Sequence, residues 1–224
     1  MTSAKSIGRT VGILSLPAGF LTPVLNFVLF PPATASDFLP SAHGSAAKVR
    51  LGLLITLVLV ALTIAIVAIV YPFYRRYSER WALAVLLTAV VGILFTVAEN
   101  MTVVQMLSLS EGHLGVAMAN DHVQALGASA HLTWRWTHFS HLFVGTAGSL
   151  VSGWILYRYA LVPRLLAALV LATSAFATVA LALPLLGYRF ALSTLTPMGL
   201  VQLALMLWLI VRGFAERPLP EVAR

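Results

Sequence analysis

The apolar runs of this chain limit its fold more than any other feature. From about Val49 to Phe73 almost every residue is Leu, Val, Ile or Ala. A helix of about 20 such residues crosses a hydrocarbon core about 30 Å thick. Five further runs of similar character cover about 7–30, 81–107, 130–157, 164–187 and 198–214. No alternating, turn-punctuated pattern accompanies them, and backbone groups in lipid are satisfied only in helices or closed barrels. The expected fold class is therefore all-α: a single domain, residues 1–224, forming a polytopic bundle of six transmembrane helices, spans 1 to 6 in chain order. Composition agrees, with 60% hydrophobic and only 9% charged residues, against about 25% charged in globular domains.

The formal charge of +7 invites a nucleic-acid reading, but the basic residues sit in short clusters beside the apolar runs. Such clusters are topology signals, and no nucleic-acid partner is expected. With both termini in the cytoplasm, Lys5, Arg9, Arg75, Arg76, Arg80, Arg158, Arg164, Arg212, Arg217 and Arg224 lie inside, and Lys48, Arg50, Arg135 and Arg189 outside. Ten and four account for all 14 basic residues, and the asymmetry favours that orientation. Trp81 and Trp154 then mark the inner interface, and Trp134 and Trp136 the outer one.

Span 1 contains Pro17 and Pro23, which predict a kink. Ala33-Thr34-Ala35 resembles a cleavage site, but the apolar region exceeds the roughly 7 to 15 residues of a signal sequence, so the segment is expected to remain as a helix. Residues 31–48 read as a loop with a solvated His43. Residues 108–130 are the longest polar stretch; Gly112, Gly115 and Gly127 should interrupt regular structure there, with room for a short amphipathic helix around Val116 to Leu126. A faint repeat, Tyr74-Arg75 leading to Arg80-Trp81 and Tyr157-Arg158 leading to Arg164-Leu165, suggests two helical hairpins in the same orientation.

The chemistry concentrates in span 4. Trp134, His138, His141, Gly145, Ser149 and Ser152 recur at steps of three or four, so they share one face. That face should meet protein. Its small residues, Gly145, Gly148, Ser149, Ser152 and Gly153, allow close helix packing and offer a surface for a second copy or another membrane partner. In span 3, Thr88, Gly92, Thr96, Glu99 and Thr102 share a face, and Glu99 is the one acidic residue well inside a span. Glu99 lies 18 residues from Trp81 and His138 16 from Trp154, about 27 and 24 Å along their helices. Glu99, His138 and His141 should therefore reach the same depth.

A carboxylate facing lipid costs at least a few kcal/mol, so Glu99 should be paired inside the bundle. His138 or His141 is the natural partner, and the expected ligand-binding set is Glu99, Asn100, Thr96, His131, Trp134, Arg135, His138 and His141. If the site is catalytic, Glu99, His138 and His141 are the candidates. The same three offer two imidazoles and a carboxylate to a metal ion, but helical metal sites favour histidines four apart or a Glu-x-x-His pair, which is absent here. No cofactor is expected, and a metal ion is the weaker reading. His113, His122 and His131 near the outer polar stretch could join an exposed metal site, though loop histidines are usually only solvated. A bis-histidine haem needs ligands on two facing helices. An acid-driven cyclase needs more than one carboxyl group in the spans. The chain has no cysteine, which excludes disulfides, thiolate metal sites and a cysteine nucleophile.

The segments Arg50-Leu-Gly-Leu-Leu54, Gly148-Ser-Leu-Val-Ser-Gly-Trp154 continuing to Arg158, and above all Leu161-Val-Pro-Arg-Leu-Leu-Ala-Ala-Leu169 resemble the bacterial six-helix membrane family known as domain of unknown function 4386. The resemblance implies a fold and a place in the bacterial inner membrane, with no established activity. The histidine-rich start of span 4 lies outside the family pattern. The functional expectation is a polar intramembrane pocket, centred on Glu99, His138 and His141, that binds or translocates a small or lipid-like ligand with proton coupling. The alternatives are an intramembrane enzyme using the same groups on a lipophilic substrate, and a non-catalytic subunit or assembly factor of a membrane complex.

Overall fold

A computed structural model of the chain describes residues 3–113 and 121–216. The expected start of a short helix at Val116, Gly115, and the tail residues Arg217 and Arg224 lie outside the described residues, as do the side chains of His43 and His113. The described elements are α1 (Ala4–Val24), a π-helical turn (Leu25–Leu29), α2 (Pro31–Thr34), α3 (Phe38–His43), α4 (Ala46–Arg75), α5 (Glu79–His113), α6 (Asp121–Arg158), α7 (Arg164–Leu185), a 3-10 turn (Leu192–Leu195) and α8 (Thr196–Arg212). No strand occurs among the described residues. Six of these segments are long and apolar enough to cross a membrane, and they match spans 1 to 6 one for one.

Three stretches depart from the sequence expectation. Pro17 and Pro23 sit within α1, and the irregularity falls just after them: Phe30 N–H donates to Leu25 O at 2.9 Å, a five-residue step. Such a π turn is one of the identifiable causes of helix deviation. Residues 31–48 are not an open loop but contain two short helices, because Ala33, Phe38 and Ala42 are at most 1% exposed and need regular backbone to reach the core. Within 108–130, α5 continues through Gly112 to His113 and α6 already starts at Asp121. Gly127 does not interrupt α6; a Cβ there would stand 3.2 Å from Leu39 Cδ1, a close contact with the end of a flexible side chain. A helical glycine costs only about 1 kcal/mol, which a helix of this length tolerates.

The chain divides into two compact units. The first comprises residues 1–19, 61–92 and 142–224. Its core gathers Phe73, Tyr74, Tyr77, Ile155, Leu161 and Phe214, with the Phe73 and Phe214 rings stacked at 4.9 Å. Gly12 lets α1 meet α8, since a Cβ there would stand 2.9 Å from Ile210 N. Gly213 ends α8 with φ 72°, and Ala215 N–H then donates to Leu161 O at 2.8 Å. Gly148 lies against Thr88 and Gly153 against Val170 and Leu171, whereas the space beside Gly145 is open. Two members of the expected small-residue surface are thus used inside the chain. Trp81 and Trp154 pack together, their rings 6.2 Å apart.

The second unit comprises residues 20–60 and 93–141. Its core joins Leu25, Leu29 and Phe30 to Phe38, Val49, Val103, Met106 and Ala130. The α2–α3 segment is fastened to α5 by the Ser110 hydroxyl, which donates to Leu39 O at 2.6 Å. Arg50 and Glu111 form an ion pair at 2.7 Å nearby. The first ties the end of α5 to α3 and the second ties it to α4.

Candidate functional site

Within the second unit α5 presents Thr96, Glu99 and Thr102 on one buried face, as their spacing of three demands. Thr102 donates its hydroxyl back to Glu99 O at 2.7 Å. The Glu99 carboxylate itself bonds to neighbours on α6. His138 Nδ1 lies 2.7 Å from Glu99 Oε1, and His141 Nδ1 lies 3.0 Å from Glu99 Oε2. One carboxylate thus meets two imidazoles, one on each oxygen.

The network sets the tautomers. An ionised carboxylate only accepts hydrogen bonds, so both histidines present N–H at Nδ1. Nε2 of a neutral His141 is then an acceptor, and the Thr96 hydroxyl, 3.1 Å away, donates to it. Glu99 is 7% and His138 5% exposed, while the His141 side chain is 35% exposed. The three groups therefore form a polar cluster closed on the His138 side and partly open on the His141 side.

Along α6 the polar face continues as stacked rings. Trp134 lies over His138 at 5.1 Å with planes 23° apart, and His131 lies against Trp134 at 5.6 Å. Two atoms of this ladder, His131 Nδ1 and Trp134 Nε1, are buried and have no hydrogen-bond partner among the described residues. Buried polar atoms without a partner cost free energy.

Of the eight residues expected from sequence, Thr96, Glu99, His138 and His141 are joined by hydrogen bonds, and Trp134 and His131 by ring contact. Asn100 is half-buried, Arg135 is exposed, and neither bonds to the cluster. Each follows a member of the polar face by one residue, about 100° round the helix. His122 is exposed. Among the described residues no group of three or more His, Asp or Glu is arranged to hold a metal ion; the donor atoms of Glu99, His138 and His141 face one another instead of a common point. Two cavities occur in the first unit, lined around Arg158–Arg164 and Leu207–Ala215. The sequence reading missed that region because arginines beside turns were assigned to topology alone.

Six helices of membrane-crossing length with a buried carboxylate–imidazole cluster between two of them define a multi-pass membrane protein. The chain belongs to the family described as a domain of unknown function (DUF4386), whose model matches residues 11–213. Neither the curated proteins nor the solved structures contain a significant match to it.

Proposed function

We propose that this is a bacterial inner-membrane protein, with both termini cytoplasmic, in which the Glu99–His138–His141 cluster takes up a proton and couples it to binding of a small or lipid-like ligand. One observation carries the reading: a carboxylate buried in an apolar span accepts from two imidazoles at 2.7 and 3.0 Å. With both rings neutral the cluster bears one negative charge, and a single added proton cancels it. Inside a membrane span that change weighs heavily. The unpartnered His131 Nδ1 and Trp134 Nε1 would supply further polar contacts to a ligand lying along the same face.

The test is infrared difference spectroscopy of protein in lipid vesicles, stepped between about pH 8 and pH 5, the range in which histidine-containing sites change charge. The expected result is a reversible loss or gain of carboxylate signal that disappears in Glu99→Gln and shifts in His138→Phe. A spectrum without pH-dependent carboxylate signal, or one unchanged in Glu99→Gln, would leave the cluster as a structural clamp between α5 and α6. Because the chain has no native cysteine, single cysteines placed at Ser3 and Ser193 test the orientation with an impermeant thiol reagent. Labelling of Ser3→Cys from outside intact cells would overturn it.

A further inference from the structure

At one end of the first unit a cleft of about 800 Å³ opens between the α6–α7 turn and the end of α8. Arg158, Arg164 and Arg212 line it, together with Tyr159 and Trp208. No ion pair occupies these guanidinium groups among the described residues, and Glu216, beyond the cleft, makes none with them. A second groove of about 510 Å³ shares Pro163, Trp208 and Arg212 with the first. Its other walls are apolar, with Leu165 and Leu169 from α7 facing Leu207 and Val211 from α8.

Depth is marked by tryptophan. Arg158 follows Trp154 by one helical turn, and Arg212 follows Trp208 by one turn. Indole rings sit at the headgroup level, so these guanidinium groups reach the phosphate layer while the leucine groove extends towards the hydrocarbon. The cleft wall is built into the fold: Ala215 N–H donates to Leu161 O, and Gly213 at φ 72° makes the turn that permits it.

We propose that this continuous cleft binds an anionic phospholipid, its phosphate held by Arg158, Arg164 and Arg212 and one acyl chain laid between α7 and α8 over Leu165 and Leu207. Arginine matches phosphate through planar, bidentate donors. The apolar continuation requires an amphiphile, so a free phosphate does not fill the site. This assignment does not depend on Glu99 or on proton uptake.

Purified protein in a neutral detergent is titrated with phosphatidylglycerol, with phosphatidylcholine of the same chains, and with glycerol 3-phosphate, reading the melting midpoint and bound lipid by native mass spectrometry. Phosphatidylglycerol is expected to raise the midpoint and to remain bound, and the other two are not. The double variant Arg158→Gln/Arg212→Gln should bind phosphatidylglycerol about thirty-fold more weakly, from the contribution of two basic residues at an anionic surface. The control Arg76→Gln/Arg80→Gln removes the same charge elsewhere and should keep wild-type binding. The site is overturned if wild-type protein responds equally to both lipids, if glycerol 3-phosphate reproduces the effect, or if both double variants weaken binding alike. The wild-type comparison decides even where a variant fails to fold.

Discussion

Replacing His138 by Phe removes one hydrogen bond and little else. The ring that stacks on Trp134 at 5.1 Å is kept, and the residue stays in a site only 5% exposed. What disappears is the donor 2.7 Å from Glu99 Oε1. Leaving a buried polar group without its donor costs about 1–3 kcal/mol, and more where the group is charged. The carboxylate is charged but keeps the His141 bond to its other oxygen, which places the loss at about 3 kcal/mol. At about 2–4 °C per kcal/mol for a chain of this length, the melting midpoint in detergent should fall by about 6–12 °C. Adding Glu99→Gln removes the stranded charge while its amide still bonds His141, so the double variant should regain at least half of that loss. The comparison of single and double variants separates the stranded charge from packing. If Glu99→Gln/His138→Phe melts no higher than His138→Phe, the single loss came from shape, and the account of Glu99 as a charge held by two imidazoles fails.

Other substitutions probe the frame around the cluster. Phe38→Ala empties a site 1% exposed and should cost about 3–5 kcal/mol, read as a lowered melting midpoint with accelerated proteolysis of the α2–α3 segment. Ala160 has φ 48°, a conformation that costs a non-glycine residue about 1–2 kcal/mol, so Ala160→Gly should raise the midpoint; a fall would show that its side chain matters more than its backbone. Arg50→Gln breaks an ion pair whose arginine is 63% exposed, and the loss should stay below about 1 kcal/mol in the same melting assay.

Much of the second unit's chemistry was legible because polar residues are rare in apolar spans. Glu99, His138 and His141 stood out as the members of two helical faces that had to leave lipid, and counting residues from Trp81 and Trp154 put them at one depth. Asn100 and Arg135 were drawn into the expected set by nearness in sequence, but one residue along a helix is a large rotation away. The cap over the second unit was hidden for the opposite reason. Pro31, Pro32 and Ser41 look like loop residues, and Phe38 is buried among residues as distant in sequence as Val103 and Met106, contacts no local pattern encodes. The arginine cleft was concealed by the rule that reads basic residues at helix ends as topology signals: Arg158 and Arg212 also share a cleft that the meeting of α6, α7 and α8 creates.

Stability alone does not account for the carboxylate cluster. Replacing both partners of a buried hydrogen bond by apolar groups of the same shape is nearly neutral or stabilising, and Val103, Met106 and Ala130 already form an apolar core in the same unit. A bundle selected only for stability has no need of a carboxylate there. The cost is offset by two imidazoles and a threonine hydroxyl, but the same face leaves His131 Nδ1 and Trp134 Nε1 unsatisfied. Removing all of this polarity at once, with Glu99→Leu, His138→Phe and His141→Leu together, should therefore leave the protein folded and at least as stable as His138→Phe alone. A triple variant that melts well below the single variant would mean that the cluster is the clamp holding α5 to α6, and the proposed proton site would lose its physical basis.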